Sequence, residues 1–396
     1  MTASTELSGA DGTAGPAGGE GRAPARVAVV GMSEPGPCGM RDHGRLLAEQ
    51  LEREGVRCSL HWLERTRPGL RGTLAEGRAW ASPLPAQIAA AEAEAIVVHY
   101  SCFASSYRGV PVLVRPLARA LRRSGLPVVA VLHELFYPFG RDGARGLLWA
   151  STQRVALVEL MRSVDAAIAT TEARHEQLVR ARWLPRRPAA FAPVFSNLPS
   201  PGAGGPGSQA ERAVVGMFGF RQDGSQELAL QALRTLKDRG RPTELRLIGS
   251  PGSDSPAAET WRARALELGI ERELTFTGLL DPQPLSDALA SVQLLLFVDP
   301  PGPTSRKGTL AGSLASGTPV LALDGPGTWP ELRRRQALRI VPRDAAALAG
   351  GIESLLDDPA ERAELGARGR SFANTEMGLA RTAATVRELL GALVAS

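Results

Sequence analysis

The sequence predicts an α/β protein made of two Rossmann-like, doubly wound parallel-sheet domains that face each other across a cleft. Three observations carry that prediction. Short apolar runs, each ending in Gly or a polar turn, recur along the chain with helix-patterned stretches between them, the signature of βαβ units. A Gly/Pro/Ser-rich stretch without periodicity, SNLPSPGAGGPGSQAER at 196–212, reads as a linker near the middle. At 396 residues the chain is also too long for one ordinary core.

The elements follow in order. RVAVVGMS (26–33) reads as a buried strand, EPGPCGMRDH (34–43) as a loop, and GRLLAEQLEREG (44–55) as an amphipathic helix stopped at Gly55. Strands at VRCSLHWL (56–63) and EAIVVHYS (94–101), a helix across VLVRPLARALRRSG (112–125), and strands at LPVVAVLHEL (126–135) and DAAIATTE (165–172) complete a first domain over 26–195. Stretches 100–110 and 136–153 read as further loops on the acceptor side. Past the linker, VVGMFGF (214–220), LRLIGS (245–250), LTFTGLL (274–280), VQLLLFVD (292–299) and TSRKGTLAGSLASGTPVLAL (304–323) define a second domain over 213–375. GLARTAATVRELLGALV (378–394), in the terminal segment 376–396, is an amphipathic helix with no strand after it. Residues 1–25 are rich in Gly, Ala, Ser and Thr without an apolar stretch, and read as a disordered tail, not a signal peptide.

Composition narrows the function classes. A hydrophobic fraction of 43% with 22% charged residues is that of a soluble globular enzyme. The net charge of +5 comes from Arg spread along the whole chain, with no basic block and few aromatics. That pattern argues against a nucleic-acid partner and is compatible with small phosphate-bearing substrates. No apolar run approaches the roughly 20 residues that span a bilayer, which leaves only peripheral membrane contact open. Cys38, Cys58 and Cys102 are odd in number and lack CxxC spacing, so neither a disulfide framework nor a zinc site is expected, and a reducing cytoplasm fits. Richness in Arg, Ala and Gly reflects a GC-rich, actinobacterium-like genome, and suggests specialised metabolism, such as antibiotic biosynthesis, or an envelope saccharide.

Of 46 basic residues only Lys237 and Lys307 are lysine. Lys307 lies where a strand gives way to a helix, the usual place to hold an anion, between Arg306 and Gly308.

Several short motifs occur in a fixed order: CGMRDHGRLLAEQL (38–51), a strand ending in His133 and Glu134, FGF (218–220), LIGS, FTGLL, ASGTPV (315–320), PEL (330–332) and DDPAERAELGARGR (357–370). The series resembles the GT-B glycosyltransferases, in particular glycosyltransferase family four, over roughly 26–390. The resemblance implies the GT-B fold and a terminal helix that crosses back onto the first domain. It also implies transfer from a nucleotide-diphosphate sugar to a small polar or saccharide acceptor, with retention of configuration. No bound cofactor is implied, only the sugar nucleotide as co-substrate. Departures from the family pattern accompany it. The family's two Glu, eight positions apart, fall on Thr304 and Gly312; its Lys after the FG turn falls near Gly224; its Arg after FG is Phe220, with Arg221 next door. Ser305, Arg306, Lys307, Gly308 and Thr309 instead resemble a bacterial subgroup with a basic S-R-[RK]-G-[ST] loop.

The chemistry expected of these residues is stabilisation of a departing diphosphate. Arg306 and Lys307, with the N–H groups of Gly308 and Thr309, put cations and donors at one helix start, and Ser305 precedes them. A solvated basic turn capped by Thr304 or Ser305 is the competing reading. Arg221 could add a second cation or be a plain surface residue. Gly39 permits close backbone approach, and with Met40 it faces the diphosphate from the other domain. Asp42 and His43 follow on the acceptor side; Asp42 also suits the helix dipole. His133 resembles the family's His near donor and acceptor, and Glu134 stands beside it. His99 reads as structural, with Tyr100 and Ser101 lining the acceptor pocket. Gly249 and the Gly278–Leu279–Leu280 backbone resemble the base-reading side. Glu331, after the loop carrying Asp324, Gly325, Gly327 and Thr328, is the ribose candidate or else a dipole-favoured helix Glu. Asp357 and Asp358 read as a helix cap, so no catalytic metal is expected. Two other classes stay open: a non-catalytic sugar-nucleotide-binding relative, and an epimerase or hydrolase on the same fold.

Overall fold

Runs such as Val27–Val30, Ile96–Val98 and Val128–Leu132 are apolar on both strand faces, which suits strands covered by helices above and below. A computed structural model describes residues 24–36, 38–202, 212–221 and 224–395. The first sheet contains β1 (Arg26–Ser33), β2 (Arg57–Glu64), β3 (Ala95–Ser101), β4 (Val128–Glu134), β5 (Ala166–Ala169) and β6 (Ala189–Phe191), in the order β2-β1-β3-β4-β5-β6. The second contains β7 (Val214–Phe218), β8 (Glu244–Ile248), β9 (Leu274–Phe276), β10 (Leu294–Phe297), β11 (Val320–Leu323) and β12 (Arg339–Val341), in the order β12-β11-β10-β7-β8-β9. Every pairing between these strands is parallel. The expected fold class, two doubly wound parallel sheets, is the one observed. Strand order reverses between β1 and β3 in the first sheet and between β7 and β10 in the second, and the crevice beyond such a reversal is where these folds place ligands.

Strand alternation sorts the first sheet into two buried faces. Ala28, Val30, Ile96, Val98, Ala130 and Leu132 meet Leu84, Leu117, Leu121 and Leu157 from helices Leu84–Ala90, Val114–Ser124 and Gly143–Met161. Val27, Val29, Val97, Val129, Val131 and Ile168 meet Leu47 and Leu51 from helix Gly39–Arg53, and Ala383, Val386 and Leu390 from helix Leu379–Val394. The last helix of the chain thus completes the core of the first domain, and Arg387 pairs with Glu54 at 3.1 Å beside it. In the second domain the preceding helix, Pro359–Thr375, passes so close to the turn at Gly317 that a Cβ on Gly366 would stand 2.1 Å from the Gly317 carbonyl oxygen.

Two local readings change. The first helix begins at Gly39, not at residue 44, because Cys38 caps it by backbone and the Asp42 N–H donates to the Cys38 carbonyl at 3.0 Å. The polar Gly-Met-Arg-Asp turn carries no apolar periodicity to reveal this. Residues 136–153 are not all loop, since helix Gly143–Met161 starts within them. Residues 1–23 of the expected tail and 203–211 of the expected linker 196–212 lie outside the described residues.

Leu390 is 1% exposed and wedges the terminal helix onto the first sheet. Leu390→Ala is expected to lower unfolding free energy by about 2–5 kcal/mol, checked by urea denaturation.

Candidate active site

Both sheets end in the same crevice, and three segments tie them together there. The Ser305 hydroxyl donates to the Thr170 carbonyl at 2.9 Å, and the Val194 N–H donates to the Ser305 carbonyl at 2.8 Å. Arg306 Nη1 lies 3.8 Å from Glu134 Oε1. Phe195 stacks on His43 with ring centroids 4.2 Å apart, and Asn197 Nδ2 donates to Asp42 Oδ2 at 3.4 Å. Ser305 is 2% exposed, so its hydroxyl belongs to the seam between the domains; that corrects its reading as a donor-binding side chain.

Lys307 is the N-cap residue of helix Gly308–Ala315, with no side-chain cap, so neither Thr304 nor Ser305 caps it. Its Nζ forms an ion pair with Asp299, which follows β10. Gly308 has open space around it: a Cβ there would meet no atom within 4 Å, and the same holds at Gly39, the start of the first helix. The turn after β7 lies against this loop, since a Cβ on Gly219 would stand 3.4 Å from Thr309 Cγ2. Gly219 has φ +68, a left-handed conformation that glycine adopts without strain. Arg221 beyond it is exposed, and its carbonyl accepts from Trp261 Nε1 at 3.2 Å. Met40 is half-buried.

Around the second sheet, Gly249 and Gly278 are turn glycines with positive φ at the ends of β8 and β9, and the Gly249 N–H donates to Thr277 Oγ1 at 3.0 Å. Leu279 is 68% exposed. The Gly-rich loop after β11 is packed, not open: a Cβ on Gly325 would lie 2.4 Å from the Gly302 nitrogen, and the Gly327 N–H donates to the Pro301 carbonyl at 2.8 Å. Glu331 pairs with Arg334 and Arg335 on its own helix, which lowers its carboxyl below the usual range. Asp358 caps helix Pro359–Thr375 by accepting from the Glu361 N–H at 2.8 Å.

On the first sheet, His133 ends in a group with His99 and His43. His99 Nδ1 and His133 Nε2 are 3.1 Å apart, and the ring of His43 stands edge-on to His133 at 4.9 Å. Ser101 Oγ donates to Glu134 Oε2 at 2.8 Å. Tyr100 is 2% exposed inside the hydrophobic core, so its ring does not line an acceptor pocket; strand alternation turns it to the face packed by helices Leu84–Ala90, Val114–Ser124 and Gly143–Met161, away from His99.

Sequence reasoning missed Arg174, Asp299 and the gathering of the histidines. Arg174 lies in helix Glu172–Arg180, capped by Thr171, and its guanidinium donates to the His133 carbonyl. Burial and then the neighbouring Arg306 push its pKa down to about 10, so two cations from opposite domains share one crevice with Glu134 between them. No spacing in TTEARHEQ announces this, because the partners come from β4 and the second domain.

Burial, and next the Arg174 charge, push the His133 pKa down to about 4; His43 and His99 are also lowered, first by burial. In the unfolded chain these imidazoles take up protons near 6.5, above their folded values. The unfolded state therefore binds more protons as pH falls, and stability present above about pH 6.5 is lost toward pH 4. Thermal unfolding between pH 7.5 and 4.5 is expected to show this fall, and His99→Gln should flatten its slope.

Residues 212–358 match the family model described as Glycosyl transferases group 1. The chain is 30% identical over 174 residues to the D-inositol 3-phosphate glycosyltransferase of Corynebacterium glutamicum, covering 43% of this chain and 41% of that protein. It is 28% identical over 169 residues to the 2-deoxystreptamine glucosyltransferase of Streptomyces kanamyceticus, covering 42% of each. The matched region thus spans about two fifths of these relatives' length. The HepE protein of Anabaena, solved with UDP-glucose, superposes with a TM-score of 0.64 at 15% identity, over 92% of this chain and 99% of that one. Residues 212–358 are thus similar to the group 1 glycosyl transferases, and the chain as a whole has the two-sheet fold of the HepE protein.

Proposed function

We propose that the protein transfers a hexose from a nucleotide-diphosphate sugar, UDP-linked in the first instance, to a small polyhydroxylated acceptor, with retention of configuration and without a metal on the diphosphate. One observation carries the reading: Arg306 and Lys307 stand at the positive end of helix Gly308–Ala315. Cations there are disfavoured by roughly 0.3–1 kcal/mol each until an anion binds. Asp299 is the resident counter-charge of Lys307, and an ammonium with three N–H donors can share a phosphate with it.

As the glycosidic bond breaks, negative charge grows on the leaving phosphate. On this reading Arg306, Lys307 and the first-turn N–H groups of Gly308 and Thr309 meet that developing charge, which would lower the barrier. The open space above Gly39 lets the opposite helix start approach the same group. His133, held neutral by burial, offers a ring nitrogen to orient the acceptor hydroxyl, while the leaving phosphate takes its proton. The names of the two relatives point to ring polyols as acceptors, which supports a cyclitol or saccharide substrate and a place in specialised metabolism. A UDP-glucose complex of a structural neighbour supports a uridine donor. Among the described residues no helix is long and apolar enough to cross a membrane, and a cytoplasmic setting is part of the proposal.

Thr304 and Gly312, standing where the family carries its Glu pair, favour as second readings a binding protein without turnover or a hydrolase or epimerase. Product analysis separates them: transfer needs acceptor, hydrolysis releases free sugar without one, epimerisation alters the donor, and a binding protein does none of these.

Thermal stabilisation by UDP, GDP, dTDP and ADP, with and without EDTA, tests the donor site. An EDTA-insensitive shift with one nucleotide, abolished in Lys307→Ala, is expected, together with a fall in kcat/KM of about 10²–10³. An unchanged kcat/KM in folded Lys307→Ala would overturn the assignment.

A further inference from the structure

Three of the chain's five histidines meet in one place. His43 comes from helix Gly39–Arg53, His99 from β3 and His133 from the end of β4, so three separate elements converge on one point at the carboxyl edge of the first sheet. One ring nitrogen from each lies within 4.8 Å of the others, and the ring centroids are 4.9–5.4 Å apart. His43 and His99 are 3% and 1% exposed. Hydrogen bonding leaves the group incomplete: His99 Nδ1 faces His133 Nε2, while His43 Nδ1 is buried without a partner.

The spacing fits a metal better than a closed hydrogen-bond network. Tetrahedral Zn–N bonds of about 2.0–2.1 Å put ligand nitrogens roughly 3.3–3.4 Å apart. His99 Nδ1 and His133 Nε2, at 3.1 Å, are already near that spacing, and His43 has at most about 1.5 Å to close. No carboxylate belongs to the group, and a set of neutral imidazoles selects borderline transition metals over Mg²⁺ or Ca²⁺. Burial keeps the rings neutral, the form that ligates.

We propose that His43, His99 and His133 form a binding site for one divalent transition-metal ion, with Zn²⁺ as its representative. Three protein ligands leave a fourth position for water or a small ligand. The ion would clamp the first helix to β3 and β4 beneath Phe195. This site belongs to the first domain, across the crevice from Arg306 and Lys307, and does not depend on the donor assignment; His133 would ligate through Nε2, which leaves its Nδ1 for the acceptor hydroxyl.

The test uses the full chain, stripped with EDTA, dialysed and titrated with Co²⁺. One equivalent should bind with the intense visible absorption of four-coordinate cobalt, and Zn²⁺ should displace it. His43→Gln and His99→Gln should each weaken binding by more than the ~10–100-fold that loss of a supporting contact costs. His61→Gln and His175→Gln, outside the group, should bind like wild type, with circular dichroism reporting the fold of each variant. Should a ligand variant fail to fold, the wild-type spectrum decides: an intense tetrahedral band supports the site, and a weak octahedral one overturns it. Folded wild type that takes up no Co²⁺, or uptake that survives loss of His43 and His99, would equally overturn it.

Discussion

A parallel sheet must be covered on both faces, and in the first domain that requirement reaches to the far end of the chain. Helix Gly39–Arg53 covers part of the second face, and Ala383, Val386 and Leu390 of the last helix complete it. The chain therefore enters the first domain, builds the second, and returns. With both the crossing segment around Val194–Asn197 and the returning helix in place, the two carboxyl edges are held face to face. The crevice geometry follows from burying apolar area.

What that crevice collects is an excess of positive charge. Arg174 from the first domain and Arg306 and Lys307 from the second converge, answered by Glu134 and Asp299. A buried guanidinium beside another cation is unfavourable unless an anion completes the set. The same edge of the first sheet, with the start of the first helix, gathers three imidazoles, two of them buried, so the first domain offers ring nitrogens where the second offers fixed positive charge.

Most of the fold was legible because its signals are local. Short apolar runs marked ten of the twelve strands, and β6 (Ala189–Phe191) and β12 (Arg339–Val341) escaped because each is three residues long and carries no pattern. The basic loop at 305–309 was visible for the same reason: its residues are neighbours in sequence. Arg174, Asp299 and the union of His43 with His99 and His133 were not visible, since their meaning arises only when strand ends from distant segments meet. Tyr100 misled because proximity in sequence to His99 says nothing about which face of the strand it occupies; alternate residues point to opposite sides. Ser305 misled in the opposite sense, as a loop hydroxyl that the partner domain had already claimed.

Ser305 carries a mechanical consequence. Its hydroxyl and carbonyl both bond to backbone of the first domain, while the two residues after it bear the cations of the second. A hinge motion that separated the sheets would have to break both bonds and drag Arg306 away from Glu134 and Arg174. The position of the loop is thus linked to the angle between the domains, and an anion bridging that loop and the opposite wall would shift the same equilibrium in return. An anion bound by this loop would therefore be linked to the angle between the domains through a single serine.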